Sequence, residues 1–145
     1  MDKSKQPGIN FEAVFLTEVN FWRTPTLPKD VKTSVSFSSS ISNQPNGVKA
    51  NAVKTVLVGT DSDENKCFEL NLTLVGLFSV QNSDKNMELD EFIAKYSTAH
   101  LMPFIRQQIA QITLNAGMPT IYLSPMNIDA MMSNQNVYVE QANEE

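Results

Sequence analysis

His100 and Cys67 are the chain's one histidine and one cysteine. A thiol–imidazole pair is the smallest unit here that could make a nucleophile, because an adjacent base activates the thiol. No recognisable motif flanks either residue, so only the fold could bring them together. One residue of each kind also excludes an intrachain disulfide and a zinc site built from several Cys or His ligands. Asp129 could serve as an acid, but it falls in the first turn of an expected helix, where a negative charge suits the helix dipole. The five glycines are scattered singly, so there is no phosphate-cradling loop. The sequon Asn71-Leu72-Thr73 carries little meaning inside a strand of a cytoplasmic protein. These residues imply no catalysis, no metal and no cofactor.

The elements that would position them come from a chain of 145 residues, 41% hydrophobic and 19% charged. That length supports one domain burying roughly 68–70% of its unfolded surface. Disorder needs low hydrophobicity and high net charge, which this chain lacks. The net charge is −5, with 7 basic and 4 acidic residues up to position 60, and 4 basic and 12 acidic beyond it. An acidic chain repels phosphate backbones, so nucleic acid is not an expected partner. The start MDKSKQPGIN has no apolar stretch after its lysines and is not a signal peptide. No apolar run approaches the ~20 residues that span a bilayer. The expectation is a cytoplasmic domain without membrane insertion.

Residues 1–8 read as a flexible tail, 9–139 as the domain and 140–145 as an acidic tail. From Ile9 to Trp22 the pattern alternates, as in a strand. Phe11, Ala13, Phe15, Val19 and Phe21 share one face, and Glu12, Val14, Leu16, Glu18, Asn20 and Trp22 the other. The two prolines of RTPTLPKD stop it. A second strand covers Val31 to Ile41, with Val31, Val35, Phe37 and Ile41 on one side. Asn46-Gly47 marks a tight turn. Further strands follow at about 52–60 and 67–80, making an antiparallel meander with one buried face. The period then changes. Glu88–Tyr96 suggests a short helix, and Leu101, Ile105, Ile109, Ile112 and Ala116 form the stripe of a long one, stopped by Gly117 and Pro119. A last helix is expected from near Asn127, with Ile128, Met131, Met132 and Val139 as its apolar positions.

The stretch Thr98–Met132 resembles the family of the bacterial export chaperone SecB. Pro103-Phe104 matches the family's Pro-aromatic helix start, and Gly117-Met118-Pro119 its Gly-x-Pro turn. Pro125-Met126-Asn127-Ile128-Asp129-Ala130 matches its Pro-x-Asn-x-Asp-Ala segment. Gly76-Leu77-Phe78-Ser79-Val80 is similar to a strand end of the family, and Phe15–Phe21 to its first strand. The resemblance covers roughly Phe11–Met132. It implies an α+β fold: a four-stranded antiparallel sheet with a long helix and a C-terminal helix, assembled as a dimer of dimers. It further implies ATP-independent binding of unfolded polypeptides in apolar grooves, and transfer of clients to the SecA translocation motor.

By that resemblance the client groove would use Trp22, Leu27, Val31 and Phe37 with Met126, Ile128, Met131 and Met132. Methionine and aromatic side chains repack around different partners, which suits such a groove; at helical spacing they equally suit a core. Trp22 is off the core face by parity, so it is either a contact residue or ordinary packing. Extended clients can also use sheet edges. The family's two acidic docking positions around its first strand fall on Glu18 and Trp22, and its exposed pair on the fourth strand on Glu69 and Asn71. The motor-docking face is therefore only partly kept, which leaves room for a dedicated chaperone of one client, such as an antitoxin. A ligand-binding or scaffold protein on the same fold is the alternative of another class.

Overall fold

The computed structural model describes residues 9–80, 89–123 and 138–142. Five antiparallel strands form one sheet: β1 (Ile9–Arg23), β2 (Lys32–Asn43), β3 (Lys49–Thr60), β4 (Lys66–Val80) and β5 (Tyr138–Ala142). Among the described residues, one α-helix, α1 (Leu89–Asn115), lies between β4 and β5 in sequence. The spatial order is β1-β4-β3-β2-β5. The four expected strands all form, and β2, β3 and β4 make the expected meander. β1 departs from it, pairing with β4 rather than β2. Residues 24–31 carry the chain past the ends of two strands, and their prolines keep that crossing out of the ladder.

Short turns fix the meander. Asn46 and Gly47 both have positive φ, at 63° and 74°, and the turn closes with the Gln44 N–H donating to the Val48 carbonyl at 2.8 Å. This is the turn expected from the Asn-Gly pair. Between β3 and β4, the Asp61 carboxylate accepts the backbone N–H groups of Asp63 and Asn65, both at 2.9 Å.

One sheet face packs under α1. Val35, Val53, Leu57, Leu70 and Leu72 from the strands meet Leu101, Ile105 and Ile109 from the helix, all at 0% exposure. Two glycines permit close approach. A Cβ at Gly76 would stand 2.7 Å from Leu101 Cδ2, and one at Gly59 would collide with the Phe68 ring. A buried polar network lies within this interface. Asn51 Nδ2 donates to Ser97 Oγ at 2.5 Å and to Thr98 Oγ1 at 3.3 Å, while Asn51 Oδ1 accepts from Ser39 Oγ at 2.6 Å.

Three expectations change. First, the alternation of β1 is broken by irregularities between Phe11 and Ala13 and between Leu16 and Glu18. Each bulge adds one residue and reverses parity. Val14 and Leu16 therefore join Phe11 and Val19 on the helix side, and Phe15 turns to the opposite face. Second, the two expected helical segments of residues 88–116 are one helix, with Pro103 inside it rather than at its start. Burial of Leu101, Met102, Ile105 and Ile109 on both sides of Pro103 offsets the lost backbone hydrogen bond. Third, Val139, expected on a C-terminal helix, lies in β5 against β2, and the expected tail boundary at 140 falls inside that strand. The proposed helix start near Asn127 and the N-terminal tail lie outside the described residues.

α1 ends as its glycine requires. Gly117 has φ 72°; its N–H reaches the Leu114 carbonyl and the Met118 N–H the Thr113 carbonyl, both at 3.1 Å. This is the left-handed cap of a Schellman motif. The Ile121 N–H then donates to Thr113 Oγ1 at 3.1 Å, which holds the exit segment against the helix. Met118, Ile121 and Leu123 are buried there, and Tyr122 between the last two is 74% exposed. Among the described residues, no helix is long and apolar enough to cross a membrane.

Candidate functional site

The reactive residues do not meet. Cys67 opens β4, while the His100 ring packs near Phe78, with ring centroids 6.4 Å apart. Eleven residues of extended strand separate Cys67 from Phe78, roughly 36 Å at about 3.3 Å per residue. Burial, and secondarily Asp61, pushes the Cys67 thiol up, the opposite of what a nucleophile needs. His100 belongs to an aromatic cluster with Phe11, Phe78 and Phe92, and its Nδ1 lies 3.1 Å from the Tyr96 carbonyl.

What the fold does present is apolar surface. Along β1, Phe11, Phe15, Leu16, Val19 and Trp22 are 39–46% exposed. Leu114 on α1 and Tyr122 beyond it add to this surface. The Tyr122 ring borders a recess of about 320 Å³ lined also by Pro103, Arg106, Gln107, Ala110 and Leu123. Sequence reading missed Phe15 and Leu16, because the β1 bulges carry no residue signature. It also passed over Tyr122, although the alternation of Ile121, Tyr122 and Leu123 held a signal.

The expected groove residues divide. Trp22 is exposed, as its parity implied, and stands opposite Glu69 on the face away from α1. Leu27 is half-buried against the core. Val31 and Phe37 are core residues, 6% and 7% exposed, because their parity on the β2 side sends them under α1 and the Met118–Leu123 segment. They therefore do not share an open surface with Trp22. Met126, Ile128, Met131 and Met132 lie outside the described residues.

The expected docking residues do come together. Glu18, Glu69 and Asn71 share the face away from α1, since Asn20 pairs with Asn71 and Trp22 with Glu69 across β1 and β4. Glu69 is tied down: Asn71 Nδ2 donates to Oε2 and Lys66 Nζ to Oε1, each at 2.9 Å. Those two contacts, Asn71 first, hold its carboxyl below the usual range. Glu18 Oε2 accepts from Asn20 Nδ2 at 3.3 Å.

Arg23 was not anticipated. Its guanidinium donates to three carbonyls, those of Thr24 at 2.9 Å, Pro25 at 3.0 Å and Ala116 at 2.8 Å. It joins the end of β1, the proline crossing and the C-terminus of α1.

A sequence profile of one family, described as preprotein translocase subunit SecB, matches residues 2–138. The chain belongs to the SecB family. Among curated SecB relatives, the protein-export protein SecB of Methylobacillus flagellatus is 21% identical over 97% of this chain and 92% of its own length. SecB 1 of Francisella tularensis subsp. novicida is 24% identical over 90% of this chain and 91% of its own length. SecB of Dichelobacter nodosus is 28% identical over 56% of this chain, and that match spans about half (51%) of the relative. Among solved structures, the fold is similar to that of a Mycobacterium tuberculosis SecB-like chaperone in complex with a ChAD peptide from the HigA1 antitoxin. The TM-score is 0.71 at 14% identity, over 82% of this chain and 91% of the other. The SecB resemblance read from Pro103-Phe104, Gly117-Met118-Pro119 and the sheet pattern is thus shown, as is its α+β sheet-and-helix fold.

Proposed function

We propose that this chain is a chaperone that holds non-native polypeptides without ATP, in the cytoplasm and in the service of protein export. The observation that carries the reading is the apolar surface: large side chains, from Phe11 at 39% to Tyr122 at 74%, lie open on β1, α1 and the segment beyond α1. Phe11, Leu16 and Val19 share one face of β1; exposed apolar residues gathered on one face of a small domain mark an interaction site, and family membership supplies the class of partner. Clients bind by burying their own apolar side chains. Leu27 and Tyr122 form the open part of the client surface on the α1 side of the sheet, with Val31 and Phe37 beneath them, and Trp22 the part on the opposite face; Met126, Ile128, Met131 and Met132 complete the groove. The exposed β1 edge joins copies of the chain into a dimer of dimers. Glu18, Glu69 and Asn71 form the face available to SecA.

A dedicated chaperone, serving one client such as an antitoxin, is the second reading. It is favoured by the state of the docking face, where Lys66 and Asn71 occupy both oxygens of Glu69 and mute its charge.

The test is suppression of aggregation. A general holdase protects several unrelated unfolded proteins at near-stoichiometric ratio, with Trp22→Ala weakening client binding by about tenfold and leaving the fold intact, about 1.4 kcal/mol. Protection of one neighbouring gene product alone selects the dedicated reading. No binding to any unfolded chain removes both and leaves a scaffold or ligand-binding role.

A further inference from the structure

The asparagine of the β2–β3 turn differs chemically from the others in the chain. Asn46 is the one asparagine followed by glycine, and the pair stands at an exposed tip. An asparagine side chain can be attacked by the backbone nitrogen of the residue after it. A glycine at that place eases the approach, because it carries no Cβ. Here nothing lies within 4 Å of the point where a Gly47 Cβ would stand. Among the described residues, no hydrogen bond holds the Asn46 amide. By contrast, the Asn51 amide is buried and bonded at both its atoms. Asn20 and Asn71 are each bonded to a glutamate.

The backbone adds to this susceptibility. Asn46 sits at φ 63° and ψ 33°, and Gly47 at φ 74°, in the left-handed region that is unfavourable for a residue with a side chain. Pro45, Asn46 and Gly47 span the tip, and none of the three is buried. The turn is closed by the Gln44 N–H on the Val48 carbonyl at 2.8 Å and the Val48 N–H on the Pro45 carbonyl at 3.4 Å. Rotation about the Asn46 ψ bond carries the Gly47 nitrogen toward the Asn46 Cγ. Local opening of an exposed loop tip has a small free-energy cost, so the folded protein reaches that geometry without unfolding.

We propose that Asn46-Gly47 is a site of spontaneous modification, closing to a succinimide and hydrolysing to an isoaspartyl residue that a carboxyl methyltransferase recognises. The Gly47 nitrogen bonds to Asn46 Cγ. The Cγ–Nδ2 bond breaks, and the amide nitrogen leaves as ammonia with the proton that Gly47 gave up. Water then opens the ring. Cleavage at Cγ gives aspartate, and cleavage at the former backbone carbonyl of Asn46 gives isoaspartate. No electrons are transferred, and water is the only reagent. The methyltransferase esterifies the new isoaspartyl carboxylate with the methyl group of S-adenosylmethionine. Either product adds one negative charge, and isoaspartate also adds a methylene to the main chain. Loop length fixes the register of a hairpin, so the longer main chain frays the end of the β2–β3 ladder at Asn43–Lys49 and Ser42–Ala50. The turn thus records the age of the molecule.

The experiment ages the full chain and Asn46→Gly for days in mildly alkaline and mildly acidic buffer, with the full chain in urea as the unfolded reference. Glycine fits the turn without strain and carries no amide to react. Peptide mass spectrometry locates the conversion, and an isoaspartyl methyltransferase with tritiated S-adenosylmethionine counts the isoaspartate. In the folded chain Asn46 converts ahead of every other asparagine, faster in the alkaline buffer, with isoaspartate as the major product. Its rate lies within about tenfold of that in urea, as local opening of a loop tip allows. Asn46→Gly loses most of the methyl label. In the converted protein the Gln44 amide exchanges roughly five- to tenfold faster, as the loss of about one hydrogen bond requires. An Asn46 that stays intact in the folded chain while the chain in urea converts overturns the proposal. So does earlier conversion of another asparagine, or a product that is aspartate alone. None of these measurements uses a client, so the chaperone reading is tested separately.

Discussion

The Arg23 guanidinium shows how much a single side chain can coordinate where strand, crossing and helix end converge. Its three acceptors are carbonyls that secondary structure leaves unpaired, including that of Ala116 in the helix cap. Hydrogen bonds to charged groups contribute about 1.5–3 kcal/mol each, though not additively. Arg23→Ala is expected to lower stability by about 2–3 kcal/mol in urea unfolding, and Arg23→Lys to recover less than half of that, because an ammonium lacks the planar fork. An unchanged midpoint for Arg23→Ala would show that water replaces all three contacts. Glu69 gives a second expectation. Its pKa is lowered in the fold, so its contribution to stability is fully present above the unfolded value of 4.5 and is lost as pH falls through the folded value. Asn71→Ala removes the largest cause and should raise the Glu69 pKa, measured by NMR titration of its side-chain carbonyl carbon. A pKa that does not move would assign the effect to Lys66. Neither device was legible in the sequence, since Arg23 sits in a loop-like RTP and its main partner is 93 residues away.

At the scale of elements, the sequence was legible where one period ran unbroken. After an irregularity at Cys67, which is buried beside Phe68, β4 alternates, and its buried set, Phe68, Leu70, Leu72, Leu74 and Phe78, is the face read from its parity. β1 was misread at Val14, Phe15 and Leu16 because a bulge leaves composition unchanged while reversing direction. Pro103 looked like a helix start because proline favours first turns; packing on both sides of it carried the helix through. β5 was missed because five residues with a non-local partner leave no periodic trace. The candidate site was half legible: Glu18, Glu69 and Asn71 share the face their parity gave, while Val31 and Phe37 are read better as core than as groove. A related expectation concerns the β3–β4 contact. Gly59→Ala places a methyl group into the ring of Phe68, which is 1% exposed. Overpacking of this kind costs about 1–3 kcal/mol, read from the urea midpoint. A smaller loss would mean that Phe68 has room to rotate.

For the whole molecule, the dominant fact is unequal cover. α1 seals the centre of one sheet face and leaves the β1 side of it open at Phe11, Leu16 and Val19. A second copy would close that side. Val19→Lys would place a charge in the contact, where an unpaired ion costs several kcal/mol, and should shift sedimentation from the assembled species to a smaller one at micromolar concentration. Identical sedimentation of the two proteins would move the interface elsewhere. Among the described acidic residues beyond position 60, Asp61, Asp63 and Glu64 lie in the β3–β4 turn and Asp90 and Glu91 at the start of α1. A protein with so much open apolar surface must still recognise its own helix. The Asn51 network does this. Ser97 and Thr98 of α1 satisfy an amide that is wholly buried, and an apolar stranger laid on the same sheet would leave it unpaired, a cost of about 1–3 kcal/mol. The polar contact thus works as a password within an otherwise permissive surface, keeping self and guest in separate seats.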